Sequence, residues 1–110
     1  MDTATYRQII QQVITDYARM VDPKNKLDRS FVFDTTNDHY MYLVNEWRGE
    51  KRLYGITLHL DIINGKIWVQ RDGTEDGIVD DLLAAGVPKE HIVLAYRSPF
   101  VRQFTEFAVS

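Results

Sequence analysis

Tyr6, Ile9, Ile10, Val13, Ile14, Tyr17 and Val21 recur at intervals of three and four residues, which gathers them into one apolar stripe along an α-helix. Asp2 or Thr3 can accept from the free amides at its start. Asp22-Pro23 ends it, because the residue before a proline is driven out of helical geometry. The stripe predicts packing against a sheet, although a helical bundle or a partner helix fits the same template. A polar connector runs from Pro23 to Asp28, and beyond it the apolar period changes to that of strands.

Ser30-Phe31-Val32-Phe33-Asp34 reads as a strand, and Thr36-Asn37-Asp38 as a turn. In the next strand, His39 to Trp47, Tyr40, Tyr42 and Val44 alternate with Met41, Leu43 and Asn45. Bulk on both faces predicts an interior position. Arg48-Gly49-Glu50-Lys51 makes a hairpin turn. Leu53 to Ile63 and Lys66 to Arg71 flank Asn64-Gly65, the dipeptide that most favours a two-residue hairpin loop. That loop predicts the pairs Ile63 with Lys66, Asp61 with Trp68, His59 with Gln70 and Thr57 with Asp72. Alternation then puts Leu58, Leu60, Ile62, Ile67 and Val69 on one face, and Thr57, His59, Asp61, Trp68, Gln70 and Asp72 on the other.

Asp72-Gly73 breaks the last strand of this meander. Thr74 is placed to cap a helix whose first turn holds Glu75 and Asp76 and whose buried face is Ile78, Val79, Leu82 and Leu83. Gly86 suits the position just past its end, with Pro88 preventing continuation. His91 to Tyr96 reads as another short strand. Ser98-Pro99 starts a last short helix with Phe100, Val101 and Phe104 on one face. The order predicts an α+β fold: an N-terminal helix, an antiparallel four-stranded meander, a helix, a short strand and a C-terminal helix, with the helices on one sheet face. The other face is then wet or covered by another subunit.

Composition narrows the picture without changing it. A chain of 110 residues, 45% hydrophobic and 26% charged, suits one domain over residues 1–110. At this size about two-thirds of the unfolded surface can be buried. The absence of cysteine excludes disulfides and thiolate chemistry and fits a reducing, cytoplasmic setting. The N-terminus has neither the basic nor the apolar segment of a signal peptide, and no apolar run is long enough to span a bilayer. Thirteen basic against sixteen acidic side chains give a net charge of −3, which disfavours a nucleic-acid binder working through phosphates.

Candidate chemistry concentrates on the polar face of the central hairpin. His59 and Asp61 lie two apart on it, within reach of Trp68, so a base with its orienting carboxylate beside an aromatic platform can be drawn there. The plainer reading is a solvated or partner-covered sheet face. Asp38-His39 are neighbours on a strand, so their side chains leave on opposite faces and cannot share one ion. His91 reads as an exposed connector. With no H-x-H or H-x-x-x-H spacing, no metal site is expected. The acids from Asp72 to Asp81 lack the calcium-loop pattern, and there is no phosphate loop. Arg48, Lys51 and Arg52 gather at one turn and Arg97 and Arg102 near another, a split arrangement typical of solvated faces. Trp47, Trp68, Tyr96, Phe100, Phe104 and Phe107 are many aromatics for a small core, and aromatics are enriched at protein interfaces.

The wording of the chain adds a different kind of evidence. Tyr6-Arg7-Gln8-Ile9-Ile10, Phe33-Asp34 with Asp38-His39-Tyr40, Tyr54-Gly55 and His59-Leu60-Asp61-Ile62 stand in order along it. So do Gly65-Lys66-Ile67-Trp68, Asp72-Gly73-Thr74-Glu75, Gly86-Val87-Pro88-Lys89, Ser98-Pro99-Phe100 and the run from Arg102 to Val109. In these stretches the chain resembles the fdxN element excision controlling factor family, XisI, over nearly its whole length. The resemblance implies a small cytoplasmic accessory protein, mainly cyanobacterial, that acts with a XisH-like partner and a site-specific recombinase removing a DNA element during cell differentiation. It implies control of excision and not cutting or joining of DNA, and it carries no catalytic residues.

Two function classes follow, with a third disfavoured by charge. The first is a non-enzymatic interaction module, self-associating and partnered, without a cofactor. The second is a small-molecule-binding or hydrolytic domain using Thr57, His59, Asp61, Trp68 and Gln70. Direct DNA binding is the third.

Overall fold

The computed structural model describes residues 1–24 and 29–110; the expected connector lies outside the described residues over 25–28. Helix α1 spans Thr3–Val21, and Asp2 caps it by accepting from the Thr5 amide at 2.8 Å. Four strands follow as a meander: β1 (Arg29–Asp34), β2 (His39–Arg48), β3 (Lys51–Ile63) and β4 (Lys66–Asp72). Helix α2 (Val79–Ala84), a 3-10 turn at Lys89–His91, strand β5 (Ile92–Leu94) and the single-turn helix α3 (Pro99–Arg102) complete the chain.

The five strands form one sheet in the order β1-β2-β3-β4-β5. The first three pairings are antiparallel, as the hairpin turns dictate. The last is parallel, because α2 carries the chain back across the sheet before β5 joins β4. The architecture is therefore α+β with a mixed sheet. Helix α1 lays Tyr6, Ile10, Val13 and Ile14 on the face built by Tyr40, Tyr42, Leu58, Leu60, Ile67 and Val69, with Ile78 and Leu82 closing one side. Burying side chains of this size contributes about 1.5–3 kcal/mol each. Tyr17 and Tyr42 meet edge to face, with centroids 6.2 Å apart. Helix α3 flanks β5, and its Arg102 guanidinium lies over the Trp68 ring, 5.4 Å from the centroid.

Asn64 and Gly65 both hold positive φ, the type I′ geometry that lets two residues reverse a twisted ribbon. Ile63 pairs with Lys66 and Asp61 with Trp68, as that turn requires. Farther along the ladder the expected register changes. A bulge makes Gln70 the extra residue of β4, so His59 stands opposite Arg71, and Leu58, not Thr57, opposite Asp72. A second bulge in the β2–β3 ladder makes Thr57 the extra residue of β3, between the pairs Leu43–Ile56 and Tyr42–Leu58. Gly73 fits beside it only as glycine. Its amide bonds the Thr57 carbonyl at 2.8 Å, and a Cβ there would stand 2.9 Å from that oxygen.

The helix expected to start at Thr74 begins later, at Val79, so Glu75 and Asp76 stand outside its first turn. The cause is Asp72. Its carboxylate accepts from the Thr74 amide and hydroxyl and from the Ile78 amide, while the Thr74 hydroxyl accepts from the Gly77 amide. Aspartate thus holds this stretch as a polar loop and takes the Ile78 amide, which a helix starting at Thr74 would have given to the Thr74 carbonyl. At the helix end, Gly86 and Val87 return their amides to Leu83 and Leu82, closing it as the sequence predicts.

Candidate functional site

The β1–β2 loop and the β2–β3 ladder bring together residues that are far apart in sequence. Asp38, at the end of the loop, has positive φ and gives its carbonyl to the Ile62 amide at 3.1 Å. Its carboxylate accepts two bonds from Arg7 of α1, at 2.8 and 3.2 Å, and one from the Tyr40 hydroxyl at 2.8 Å. The Arg7 guanidinium beside it holds the Asp38 carboxyl below its ordinary value, against the opposing effect of burial. Burial, reinforced by the Asp38 charge, pushes the Tyr40 phenol well up. Asp38 and His39 do turn to opposite sides: Asp38 faces the helix, and His39 faces away from it.

On that far side His39 pairs across the ladder with Asp61, and Met41 with His59. The bulge at Thr57 sets this parity, because it lets Tyr40 and Tyr42 share the core face with Leu58 and Leu60. His39 Nδ1 lies 2.8 Å from Asp61 Oδ1, and His59 Nε2 lies 2.9 Å from the same oxygen. Gln70, swung over by its own bulge, donates to Asp61 Oδ2 at 3.2 Å. Asp61 is only 6% exposed, the one charged residue buried among the described residues. Its hydrogen bond and charge raise the His39 imidazole above its ordinary value.

Of the five residues singled out on this face, His59, Asp61 and Gln70 meet directly. Trp68 is the cross-strand partner of Asp61, yet Arg102 stands over its ring, so the ring is not a bare platform; its indole N–H is buried with no acceptor among the described residues. Thr57 does not join them. It lines a separate cavity of about 510 Å³ with Arg29, Arg48, Arg52 and Arg71. His39 is the member that sequence spacing did not reveal, since it arrives from a different strand. His91, expected to be exposed, is half-buried and bonds the Tyr6 hydroxyl through Nδ1, remote in role from the other two histidines.

Exposed apolar residues are spread over the surface, and the most exposed aromatic ones gather at two other places. At the β2–β3 end, Trp47 (64% exposed) and Tyr54 flank Arg52, whose guanidinium is 5.2 and 5.6 Å from their ring centroids. At the C-terminal end, Phe100 and Phe104 (72% exposed) contact each other edge to face, with Tyr96 and Val101 also exposed. No described helix is long and apolar enough to cross a membrane.

Comparison with known proteins gives this arrangement a family. Comparison with the curated proteins found no match. Among solved structures, the chain is similar to the fdxN element excision controlling factor XisI from Anabaena variabilis, with 37% identity, 97% of each chain covered and a TM-score of 0.84. It is also similar to a XisI-like protein from the same organism, with 33% identity, 97% of this chain and 98% of that one covered and a TM-score of 0.88. The family model described as XisI protein matches residues 1–109. On this whole-length agreement, the chain belongs to the XisI family.

Proposed function

We propose that the protein is a non-enzymatic accessory factor in the excision of a DNA element, acting by contact with a XisH-like protein and through it on a site-specific recombinase. Membership of a family named for an excision controlling factor supports the controlling role. The observation that carries the contact mode is the pair of exposed aromatic surfaces, Trp47–Arg52–Tyr54 at one end of the sheet and Phe100–Phe104 at the other. Tryptophan, tyrosine and arginine are the residues that most often dominate binding energy at interfaces. Self-association through one of these surfaces belongs to the same reading. The acidic balance argues against DNA as the primary ligand.

The test is co-expression with a XisH-like protein, followed by size-exclusion chromatography with light scattering. A stable mixed complex, weakened at least tenfold by Trp47→Ala or Phe104→Ala with the fold intact, is expected. Elution of this chain alone under the same conditions would overturn the reading. A second reading, a small-molecule-binding or hydrolytic face, is favoured by one observation: two imidazoles converge on one buried carboxylate. In that reading His59→Ala abolishes ligand binding while assembly survives.

A further inference from the structure

His39, His59 and Asp61 form a cluster that the accessory role does not use. Their ligating atoms all lie within 4.8 Å of one another, and both imidazole nitrogens converge on a single carboxylate oxygen. We propose that His39 Nδ1, His59 Nε2 and Asp61 Oδ1 form a three-ligand site for a divalent first-row transition metal ion of the zinc type, with its remaining coordination positions open to solvent.

The geometry is close to what such an ion needs. Zinc takes imidazole nitrogen and carboxylate oxygen at about 2.0–2.2 Å in a tetrahedral arrangement, which sets neighbouring donors about 3.4 Å apart. The nitrogen–oxygen separations here are 2.8 and 2.9 Å, so the donors have to part by about half an ångström. Side-chain rotation supplies that movement without shifting the strands. As the ion enters, each ring gives up the proton that its ligating nitrogen shares with Asp61, to solvent or by exchange to the other ring nitrogen, and keeps one proton on the nitrogen turned away from the metal.

Charge argues the same way. Asp61 is buried, yet among the described residues its hydrogen-bond partners are two imidazoles and the Gln70 carboxamide, with no guanidinium or ammonium bonded to it. A dication supplies the missing positive charge. Gln70 holds Oδ2 and leaves Oδ1 for the ion, the outer-shell arrangement that orients a ligating carboxylate. The donor set also selects the ion. Two nitrogens and one oxygen suit zinc, cobalt or nickel, whereas magnesium and calcium take oxygen donors. The His39 and His59 side chains are 48% and 27% exposed, so an ion can enter from solvent and retain water. Three protein ligands with an open position describe an exchangeable or reactive site, not a closed structural one.

The test is titration of chelator-stripped, untagged protein with zinc chloride against a chromophoric competitor. The expected result is one zinc per chain with micromolar or tighter affinity, weakened at least tenfold by His39→Ala and by His59→Ala and abolished in the double variant. Gln70→Ala should weaken it less. Circular dichroism checks that each variant is folded. If one is not, imidazole nitrogen resonances of the unaltered chain decide: zinc should shift those of His39 and His59 and leave His91 unchanged. No binding at micromolar zinc, affinity unchanged in the double variant, or shifts centred on His91 would each overturn the proposal. The result is independent of complex formation with a protein partner, so the two readings can fail separately.

Discussion

Asp38 and Asp61 are carboxylates of neighbouring chain segments, tied to each other through the Asp38 carbonyl on the Ile62 amide, and they are balanced in opposite ways. Asp38 faces the helix and is held by a permanent cation, Arg7, in a two-bond contact, with a buried tyrosine hydroxyl as third donor. Asp61 faces away and is held by three donors that carry no obligatory charge. The first arrangement has few other states open to it, because removing either ion leaves the other uncompensated. The second tolerates exchange of what sits beside the carboxylate. The contrast separates a fastener, which locks α1 to the β1–β2 loop and so fixes where His39 emerges, from a receptive centre.

The contrast can be broken by experiment. Asp38→Asn leaves Arg7 without its counter-charge and should cost about 2–3 kcal/mol in urea unfolding, the usual scale for a hydrogen bond to a charged group. Asp61→Asn should cost less, about 1 kcal/mol in the metal-free protein, since none of its partners carries a permanent charge and two of them reach solvent. The reverse order would make Asp61 the structural carboxylate and remove the distinction. Gln70→Ala, which deletes a single half-buried bond, should cost about 0.5 kcal/mol.

The pH dependence of stability sharpens the same comparison in chelator-treated protein. The Asp38 pKa is lowered from 3.8 by Arg7, so its contribution is present above that value and is lost as pH falls through the depressed folded value. The His39 pKa is raised from 6.5 by Asp61, so its contribution is full below that value and is lost as pH rises through the raised one. Unfolding midpoints should therefore decline on both limbs. Asp38→Asn should flatten the acid limb, and His39→Asn the weaker alkaline one.

What the sequence made legible were the features decided by a few adjacent residues. The Asp2 cap, the helical stripe, the Asn64-Gly65 turn and the Gly86 stop depend on local geometry, and each stands where the pattern puts it. The face assignment of His59 and Asp61 was readable for the same reason. The site lost legibility at the two bulges, because an extra residue changes a register without leaving a local signal. A trace of one was present. A two-residue turn at Gly49-Glu50 pairs even-numbered with odd-numbered positions, yet Tyr40, Tyr42, Leu58 and Leu60 all need the core. Only one inserted residue reconciles the two demands, and that residue is what sets His39 opposite Asp61. The late start of α2 escaped for another reason: Asp72 takes the Ile78 amide that a helix from Thr74 would have used, and Gly77 holds positive φ.

The connections of the sheet also have a kinetic consequence. Gly49-Glu50 and Asn64-Gly65 close their hairpins over two residues, and 35–38 closes the first over four, whereas β5 reaches β4 only after the chain has run from Gly73 to His91. Closing short loops costs less chain entropy than closing long ones, and pairings distant in sequence slow folding. His39, His59, Asp61 and Gln70 all sit within the three hairpins, so their convergence needs no contact made by the last strand. A chain cut or stalled before Ile92 retains every residue that assembles this cluster, and what it lacks is the cover that β5 and the C-terminal turn give to the edge of β4.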